Sequence, residues 1–271
     1  MLTYRTDTQP VGIFDSGVGG LSVLQEITRL LPLENILYYA DSGNCPYGPR
    51  PAQEIRQLAE NAAAFLLEKG AKALVVACNT ASTAAVAYLR QLWPQVPIVG
   101  MVPAVKPAAS LSQSGVIGVL STQATSRATA LHEVIDRFAH EVRVLIAAPP
   151  GLVEKVEAGE IASLETLALL EEYLEPMLKE KMDVLVLGCT HFPFLRPALA
   201  QVLGPAVQII DSGEAVARQT RRVLEQSGGL NPNISVKPAE IIFYTSGDPA
   251  QVGPVIARLL NYSQPPIIQP G

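Results

Sequence analysis

The sequence predicts an α/β protein with two pseudo-symmetric, doubly wound domains, mainly parallel sheets and an active site in the cleft between the domains. Three observations support this fold class. Apolar runs alternate with helical patterns, the runs lack the two-residue alternation of half-exposed strands, and parts of the chain resemble each other at long range. Continuous apolar runs are typical of strands buried on both faces, as in parallel sheets covered by helices.

Nine short apolar runs are interpreted as buried strands, namely 11–14, 36–40, 73–77, 98–101, 116–120, 142–146, 184–187, 207–210 and 241–244. Six stretches between them have helical spacing, namely 20–31, 52–69, 82–92, 124–139, 161–181 and 214–226. This order predicts parallel pairing, because parallel neighbours need a crossover connection. Residues 263–271 contain three prolines and are predicted to form a loose tail.

Two internal similarities indicate a duplicated unit. VGIFDS at 11–16 resembles IGVLST at 117–122, an offset of 106 positions, and LVVACNT at 74–80 resembles LVLGCT at 185–190, an offset of 111. Chance similarity between buried strands is the alternative. A duplication predicts a first domain of residues 1–100 plus 211–271 and a second domain of residues 101–210.

Composition limits the possible partners. The chain has 271 residues, of which 48% are hydrophobic and 17% charged, which favours a globular protein over a disordered one. A formal net charge of -5 provides no basic field for nucleic acid or an anionic membrane. The N-terminus lacks a secretory signal, and polar or small residues interrupt the long uncharged stretches. We therefore expect no membrane span and a cytoplasmic location.

The cysteines exclude some kinds of site. Only Cys45, Cys78 and Cys189 occur, an odd number without C-x-x-C spacing and without a Cys/His cluster of zinc type. We therefore expect neither a disulfide framework nor a metal site. Each thiol is either an inert core residue or a working nucleophile or base.

Polar residues directly follow several predicted strands, where ligands bind in open parallel sheets. They are Asp15, Asp41, Cys78, Ser121, Cys189 and Asp211. Cys78 and Cys189 also stand at predicted helix starts, where free N–H groups favour an anion and lower the pKa of a thiol. One buried cysteine at a strand end is more often structural, but two in matched settings favour a functional interpretation.

The loop DSGVGG at 15–20 is glycine-rich but lacks a dinucleotide fingerprint, because Ser22 stands where a third glycine is required. The loop either presents N–H groups to a small carboxylate or forms a tight turn capped by Asp15 or Ser16. The turn at 46–48 brings a phenol to a ligand or is an ordinary surface turn. Cys45, which has no second cysteine nearby in sequence, is interpreted as incidental.

Two further groups of residues are candidates for acid–base chemistry. His191 follows Cys189 by two positions and can act as an acid, a base or a donor at the same site, or can be a satisfied polar residue. Glu154, Glu157 and Glu160 share a short helical stretch, where three carboxylates usually form a solvated face. His132 and His140 are expected at the surface.

Taken together, the motifs resemble the glutamate racemases, a branch of the cofactor-independent aspartate/glutamate racemase family that serves bacterial cell-wall synthesis. They are VGIFDSGVGG at 11–20, AD at 40–41, PYG at 46–48, ACNTAS at 77–82, GCTHFP at 188–193 and IDS at 210–212. Ser82 and His191 favour the glutamate branch over the aspartate branch. The segment APPG at 148–151 departs from the family, in which a Cys-Pro pair is common there.

The resemblance implies two α/β domains that each contribute one catalytic cysteine, Cys78 or Cys189, to a site between them. It implies that Asp15 supports Cys78, and that His191 and Glu157 support Cys189. The Glu157 assignment rests on Val-Glu-x-Gly at 156–159. The implied substrate contacts are Asp15, Ser16, Tyr47, Gly48, Asn79, Thr80, Thr190 and His191. The resemblance also implies a homodimer that uses no cofactor or metal and supplies D-glutamate for peptidoglycan.

Racemisation requires proton removal from one face of the α-carbon and proton return to the opposite face. Two thiols on opposite sides, one ionised and one protonated, satisfy this requirement, and by resemblance Cys78 deprotonates D-glutamate and Cys189 deprotonates L-glutamate. A pyridoxal enzyme would need a lysine for the Schiff base and a phosphate cradle, and the sequence shows neither in a recognisable setting. The alternatives are a racemase of aspartate or a related acidic compound, and a non-catalytic two-lobed protein that binds an anion.

Overall fold

The computed structural model describes residues 8–231 and 239–271. Within these residues the strands are β1 (Val11–Asp15), β2 (Ile36–Ala40), β3 (Ala73–Val76), β4 (Ile98–Val99), β5 (Val116–Ser121), β6 (Arg143–Ala147), β7 (Val184–Gly188), β8 (Gln208–Ile210), β9 (Ile241–Thr245) and β10 (Ile268–Pro270). All nine predicted strands are present, most of them within one residue of the predicted ends.

The helices are α1 (Leu21–Leu30), α2 (Ala52–Glu68), α3 (Asn79–Leu92), α4 (Val105–Leu111), α5 (Gln123–Arg127), α6 (Thr129–Phe138), α7 (Leu152–Glu157), α8 (Leu164–Lys179), α9 (Arg196–Leu203), α10 (Gly213–Ser227) and α11 (Pro249–Leu260). Short 3-10 turns lie at Ser42–Asn44 and Phe192–Leu195. None of the helices described is both long and apolar enough to span a membrane.

The strands form two parallel sheets. One has the order β10-β9-β2-β1-β3-β4 and the other the order β6-β5-β7-β8, and every strand pair runs parallel. Helices cover the sheets, and the apolar side chains of β1 and β5 are fully buried apart from the half-buried Val116. The predicted α/β class with parallel sheets is therefore confirmed.

The two sheets repeat one another in detail. The order β2-β1-β3-β4 matches β6-β5-β7-β8 strand for strand. Gly12 pairs with Leu74, and Gly118 pairs with Leu185. A Cβ placed on either glycine would lie 3.0 Å from the side chain of its paired leucine. The two pairs occupy the same place in each sheet, which supports duplication over chance similarity.

The strands divide between two stretches of chain. The six-stranded sheet uses residues from 11–99 and 241–270, whereas the four-stranded sheet uses 116–210. Helix α10 packs against α1, on the side of the larger sheet. We propose the domain division 1–100 plus 211–271 and 101–210 on this basis. The structure does not describe residues 1–7 and 232–238. The expectation that the N-terminus lacks a secretory signal concerns residues that mostly lie outside the described part of the chain.

Two predictions of local structure were wrong. The end of the chain is not a loose tail, because β10 pairs with β9 and adds an edge strand to the larger sheet. An edge strand tolerates Pro270, which lacks an N–H group. The predicted helix over 124–139 is two helices, α5 and α6, because Ala128 has extended backbone with ψ of 132°. Its neighbours have ordinary helix-forming side chains, so composition does not mark the break.

Three helices were missed because each contains proline. Pro107 lies in α4 and Pro197 in α9, both within the first turn, where the missing N–H has no intrahelical partner to lose. Helix α11 begins at Pro249 and also contains Pro254 in its interior. Proline is a reliable helix breaker only beyond the first turn of a helix. Pro107 and Pro197 are therefore compatible with the starts of α4 and α9.

Candidate active site

A small cavity lies where the carboxyl ends of β1, β3 and β7 meet. Its lining comes from both sheets and comprises Ser16, Pro46, Tyr47, Gly48, Cys78, Asn79, Thr80, Thr122, Val153, Cys189, Thr190 and His191. Every residue predicted to contact substrate lines this cavity except Asp15, which lies directly behind the lining. The ends of parallel strands are the place where such sheets bind ligands.

Cys78 ends the loop after β3 and caps helix α3. Its Sγ atom accepts a hydrogen bond from the N–H of Ala81 at 3.5 Å and lies 3.7 Å from Ser16 Oγ. Burial raises the pKa of the Cys78 thiol well above its usual value, and the nearby Asp15 carboxylate raises it further. The N–H of Ala81 at the helix start lowers this pKa as predicted, but burial and the neighbouring negative charge outweigh it, so that the net shift is upward.

Asp15 connects the first glycine-rich loop to the opposite sheet. Its Oδ2 atom accepts hydrogen bonds from the N–H groups of Gly17 at 3.3 Å and Gly20 at 2.9 Å. The hydroxyl of Thr190 donates to its Oδ1 atom at 3.4 Å. Burial raises the pKa of Asp15, and the positive charge of His191 opposes that effect. Asp15 therefore closes the loop as a turn, but neither Asp15 nor Ser16 caps helix α1, whose N-cap residue is Gly20.

Cys189 has a different set of partners. Its Sγ atom lies 3.7 Å from Nδ1 of His191, and Nε2 of His191 lies 2.6 Å from Oε1 of Glu157. Burial lowers the pKa of His191, but hydrogen bonds to Cys189, Cys45 and Glu157 outweigh it, so that the pKa is raised well above its usual value. The Cys189 half thus contains an imidazolium between a sulfur atom and a carboxylate.

The loop at 15–20 is glycine-rich because the Cys189 half packs directly onto it. A Cβ on Gly17 would lie 2.0 Å from Oε1 of Glu157, and one on Gly19 would lie 2.3 Å from Nδ1 of His191. The N–H of Val18 donates to Oε1 of Glu157 at 2.7 Å. The N–H groups of Gly17, Val18 and Gly20 therefore stabilise catalytic candidates within the protein.

Of the three glutamates on the segment after the Pro-Pro-Gly turn, only one points inward. Glu154 and Glu160 are exposed, and Glu160 lies beyond the end of α7. Glu157 is partly buried at the last residue of that helix and contacts His191. The structure therefore places the predicted Glu157 beside the predicted His191, although 34 residues of sequence separate them.

Asn79 provides an independent sign of a ligand. Both polar atoms of its side-chain amide are buried, and neither has a hydrogen-bond partner among the described residues. Buried amides are almost always satisfied, so an unpaired one that lines a cavity indicates that a bound molecule completes it. Thr80 Oγ1 lies 2.9 Å from Thr122 Oγ1, which joins the first sheet's side of the cavity to the second.

The Pro-Tyr-Gly turn does face the cavity. The hydroxyl of Tyr47 donates to Oδ2 of Asp41 at 2.5 Å, and Oδ1 of Asp41 accepts from Ser246. Asp41 therefore positions the turn from behind and does not line the cavity. Asp211, which also follows a strand, pairs with Arg196 at 2.5 Å and lies away from the lining. The expectation that these strand-end residues converge on one site is wrong for Asp211, and Asp41 and Ser121 also lie outside the lining.

Sequence reasoning missed three residues near the reactive groups. Thr122 and Val153 line the cavity, and Thr122 is the counterpart of Ser16 in the internal repeat, which was a usable signal. Cys45 was interpreted as incidental, but its Sγ atom lies within 4.8 Å of a donor atom of His191 and of Glu157. Burial raises the pKa of the Cys45 thiol to about 12. No sequence spacing connects Cys45 with His191, because the fold alone brings their loops together.

A larger cavity of about 280 Å³ adjoins the small one and shares Pro46, Gly48, Thr122 and Val153 with it. It extends to the Pro149–Gly151 turn and Phe192 on the second sheet's side. The shared lining makes it the approach from solvent to the two cysteines.

Comparison with known proteins agrees with this geometry. The family model for Asp/Glu/hydantoin racemases matches residues 13–220. A glutamate racemase of Stutzerimonas stutzeri is 51% identical over 250 residues, which cover 92% of this chain and 93% of the relative.

Solved structures of glutamate racemases are similar to this chain over nearly its whole length. The crystal structure of Escherichia coli glutamate racemase, in complex with L-glutamate and the activator UDP-MurNAc-ala, has a TM-score of 0.84, 36% identity and coverage of 97% of this chain and 98% of that one. The Francisella tularensis glutamate racemase in complex with D-glutamate has a TM-score of 0.83 and 27% identity, with 98% of both chains covered.

Proposed function

Because this chain belongs to the Asp/Glu/hydantoin racemase family, we propose that it is an enzyme that interconverts L- and D-glutamate. The observation that carries the proposal is the pair of buried cysteines at equivalent strand ends of two repeated sheets, both lining one cavity. The relatives that bind L- and D-glutamate support the choice of substrate. No step requires a cofactor or a metal ion.

The proposed reaction uses the two thiols as opposed acid–base groups. One cysteine, as thiolate, takes the α-proton, and the other, as thiol, returns a proton to the opposite face of the same carbon. Each turnover exchanges the protonation states of the two cysteines, so that the number of protons in the site is conserved. Cys189 deprotonates L-glutamate and Cys78 deprotonates D-glutamate.

The helper groups set the starting state. The raised pKa values of Cys78 and His191 describe a resting site with a Cys78 thiol and a His191 cation. In the proposed reaction the thiolate form of Cys189 takes the α-proton of L-glutamate, and His191, held by Glu157, lies where it can stabilise that thiolate. For the reverse direction, Asp15 is the group beside Cys78 that can accept or orient the thiol proton.

Substrate binding uses donors from both halves of the cavity. The unpaired amide of Asn79 and the hydroxyls of Ser16, Thr80 and Thr190 can hold the charged groups of an amino acid. The α-carbon remains a very weak acid, so most of the barrier must fall through hydrogen bonds to the substrate carboxylate and alignment. Basicity of the thiolate alone does not suffice.

The decisive experiment is incubation of the dialysed protein with each glutamate enantiomer in D₂O. We expect both enantiomers to appear and deuterium to accumulate at the α-carbon without pyridoxal phosphate or nucleotide. A two-lobed anion-binding protein would leave the α-hydrogen unexchanged, which would reject an enzymatic role. Faster exchange of aspartate than glutamate would assign the protein to the aspartate alternative.

The cellular role is part of the same proposal. D-glutamate made by the enzyme is used for peptidoglycan synthesis, and the protein acts in the cytoplasm as a homodimer. Growth of a D-glutamate auxotroph after expression of this chain tests the first point. Light scattering of the purified protein tests the second, since a monomer mass at working concentrations would reject the dimer.

A further inference from the structure

We propose that Cys45, Glu157 and His191 form an inhibitory zinc-binding site beside the reactive cysteines. One donor atom of each residue lies within 4.8 Å of the donors of the other two. The donors come from three separate segments, namely the turn before Pro46, the end of α7 and the loop after β7. Among the residues that the structure describes, they are the group of three such side chains with donors this close.

The chemistry of the three donors matches zinc. Zinc binds thiolate sulfur at about 2.3 Å, imidazole nitrogen at about 2.0–2.1 Å and carboxylate oxygen at about 2.0–2.2 Å, and its usual geometry is tetrahedral. Neighbouring donors around such an ion lie roughly 3.3–3.8 Å apart. Movements of about 1 Å bring the three donors to this geometry, and water completes the fourth position.

Existing contacts hold two of the ligands close together. His191 Nε2 and Glu157 Oε1 are 2.6 Å apart, and the N–H of Val18 fixes that carboxylate. Partners of this kind orient ligands and strengthen metal binding. Cys45 is half-buried and the side chain of Glu157 is 19% exposed, so solvent reaches the donors, while His191 is only 2% exposed.

Zinc at this position would disturb the Cys189 half. Coordination releases the thiol proton of Cys45 to solvent and takes Nε2 of His191 away from its contact with Glu157. The carboxylate of Glu157 turns to the metal as well. Inhibition, unlike binding, rests on the proposed racemase function, in which His191 and Glu157 support Cys189.

Zinc binding by the full chain is measured by competition with a chromophoric chelator, with free Zn²⁺ held by a metal buffer. We expect one zinc ion per chain and at least tenfold weaker binding in Cys45→Ser, since a ligand is lost. Cys78→Ser is the matched control, because it removes a cavity thiol outside the proposed ligand set and should leave zinc affinity unchanged. Glu157→Gln should weaken binding and provides a second variant if Cys45→Ser misfolds.

Cobalt gives a direct view of the ligands. Co²⁺ bound to the wild-type chain should show a thiolate charge-transfer band and the visible bands of a four-coordinate ion, and the thiolate band should disappear in Cys45→Ser. Retention of the band in Cys45→Ser and its loss in Cys78→Ser would place the metal on the cavity cysteines and overturn the proposal. Absence of zinc binding by the wild-type chain would also overturn it.

Racemase activity supplies a separate readout. The activity of the wild-type enzyme should fall as free Zn²⁺ rises, with a midpoint equal to the zinc dissociation constant, and a chelator should restore it. Cys45→Ser should keep its activity at the same free zinc concentration. Zinc bound through Cys45 in a protein that does not racemise glutamate would reject the proposed function alone. Active protein that binds no zinc would reject the zinc site alone.

Discussion

The two halves of the site share a backbone plan but not their helper groups. Cys78 and Cys189 follow equivalent strands, β3 and β7, in sheets of the same order. Cys78 lies near a buried carboxylate, Asp15, whereas Cys189 lies beside an imidazolium that is held by Glu157. The two thiols therefore occupy matched backbone positions but have different electrostatic surroundings.

The halves also support one another. The N–H of Val18, in the loop beside Asp15, donates to Glu157, while Thr190, next to Cys189, donates to Asp15. Each half is thus positioned by a residue of the other. A change in one half should consequently affect both cysteines, but the sign and size of the effect should differ with direction.

The largest effect is expected from removal of either thiol. Cys78→Ala and Cys189→Ala should each lower racemisation at least a hundredfold, since each removes one of two required proton carriers, and acid–base groups contribute about 10² or more. Circular dichroism should show both variants folded, because only a small side chain is lost. Turnover above about a tenth of the wild-type rate in either variant would contradict the two-base reaction.

Loss of the helper groups should give smaller and opposite directional effects. Asp15→Asn and His191→Asn should lower the two directional kcat values by unequal factors, between about tenfold and a hundredfold in the more affected direction. The ratio of directional kcat/KM values cannot change, because the overall equilibrium sets it. Progress curves from each enantiomer give kcat and KM separately, and the two variants should show opposite bias.

An equal loss in both directions for both variants would mean that Asp15 and His191 act on both cysteines alike. The assignment of one helper set to each thiol should then be dropped.

The contact between the halves should be sensitive to a single methyl group. Gly17→Ala would place Cβ 2.0 Å from Oε1 of Glu157, so we expect about 1–3 kcal/mol lower unfolding free energy from overpacking. Gly253→Ala is the control, because its Cβ would meet its nearest neighbour at 3.5 Å within helix α11. That variant should gain about 0.5–1 kcal/mol.

Urea denaturation of both variants measures these differences. Unchanged stability of Gly17→Ala would show that Glu157 moves away without cost, and the halves would then be less tightly coupled than their contacts indicate.

The pH dependence of stability should separate the halves in two windows. The pKa of His191 is raised above 6.5 and that of Cys78 above 9.0. The folded state then binds more protons than the unfolded state, so stability falls as pH rises from each unfolded value toward the folded one. The slope is at most about 1.4 kcal/mol per pH unit for each group.

His191→Asn should remove the fall that begins near pH 6.5, whereas Cys78→Ala should reduce the fall that begins near pH 9.0, to which the raised pKa of Cys45 also contributes. Unfolding free energies of the wild-type chain and both variants between pH 6 and 10 test this expectation. A slope that neither variant alters would assign the alkaline loss to other groups.

Much of the fold was predictable because short β-branched or aliphatic runs that alternate with helical patterns are typical of buried parallel strands. The repeat at offsets of 106 and 111 further predicted which strands are equivalent. Prediction failed where the local signal was weak or misleading. Prolines hid helices α4, α9 and α11, and the prolines at 265, 266 and 270 likewise hid the edge strand β10.

The sequence by itself determined the two-cysteine motif, the strand-end positions of the polar residues and the family resemblance, since these depend on residues that are close along the chain. Only the tertiary structure decided that Glu157 reaches His191, that Gly17 and Gly19 make room for both, and that Cys45 joins them. It also reversed the expected pKa shift of Cys78. Burial and distances between remote segments set these properties, and neither is encoded in local spacing.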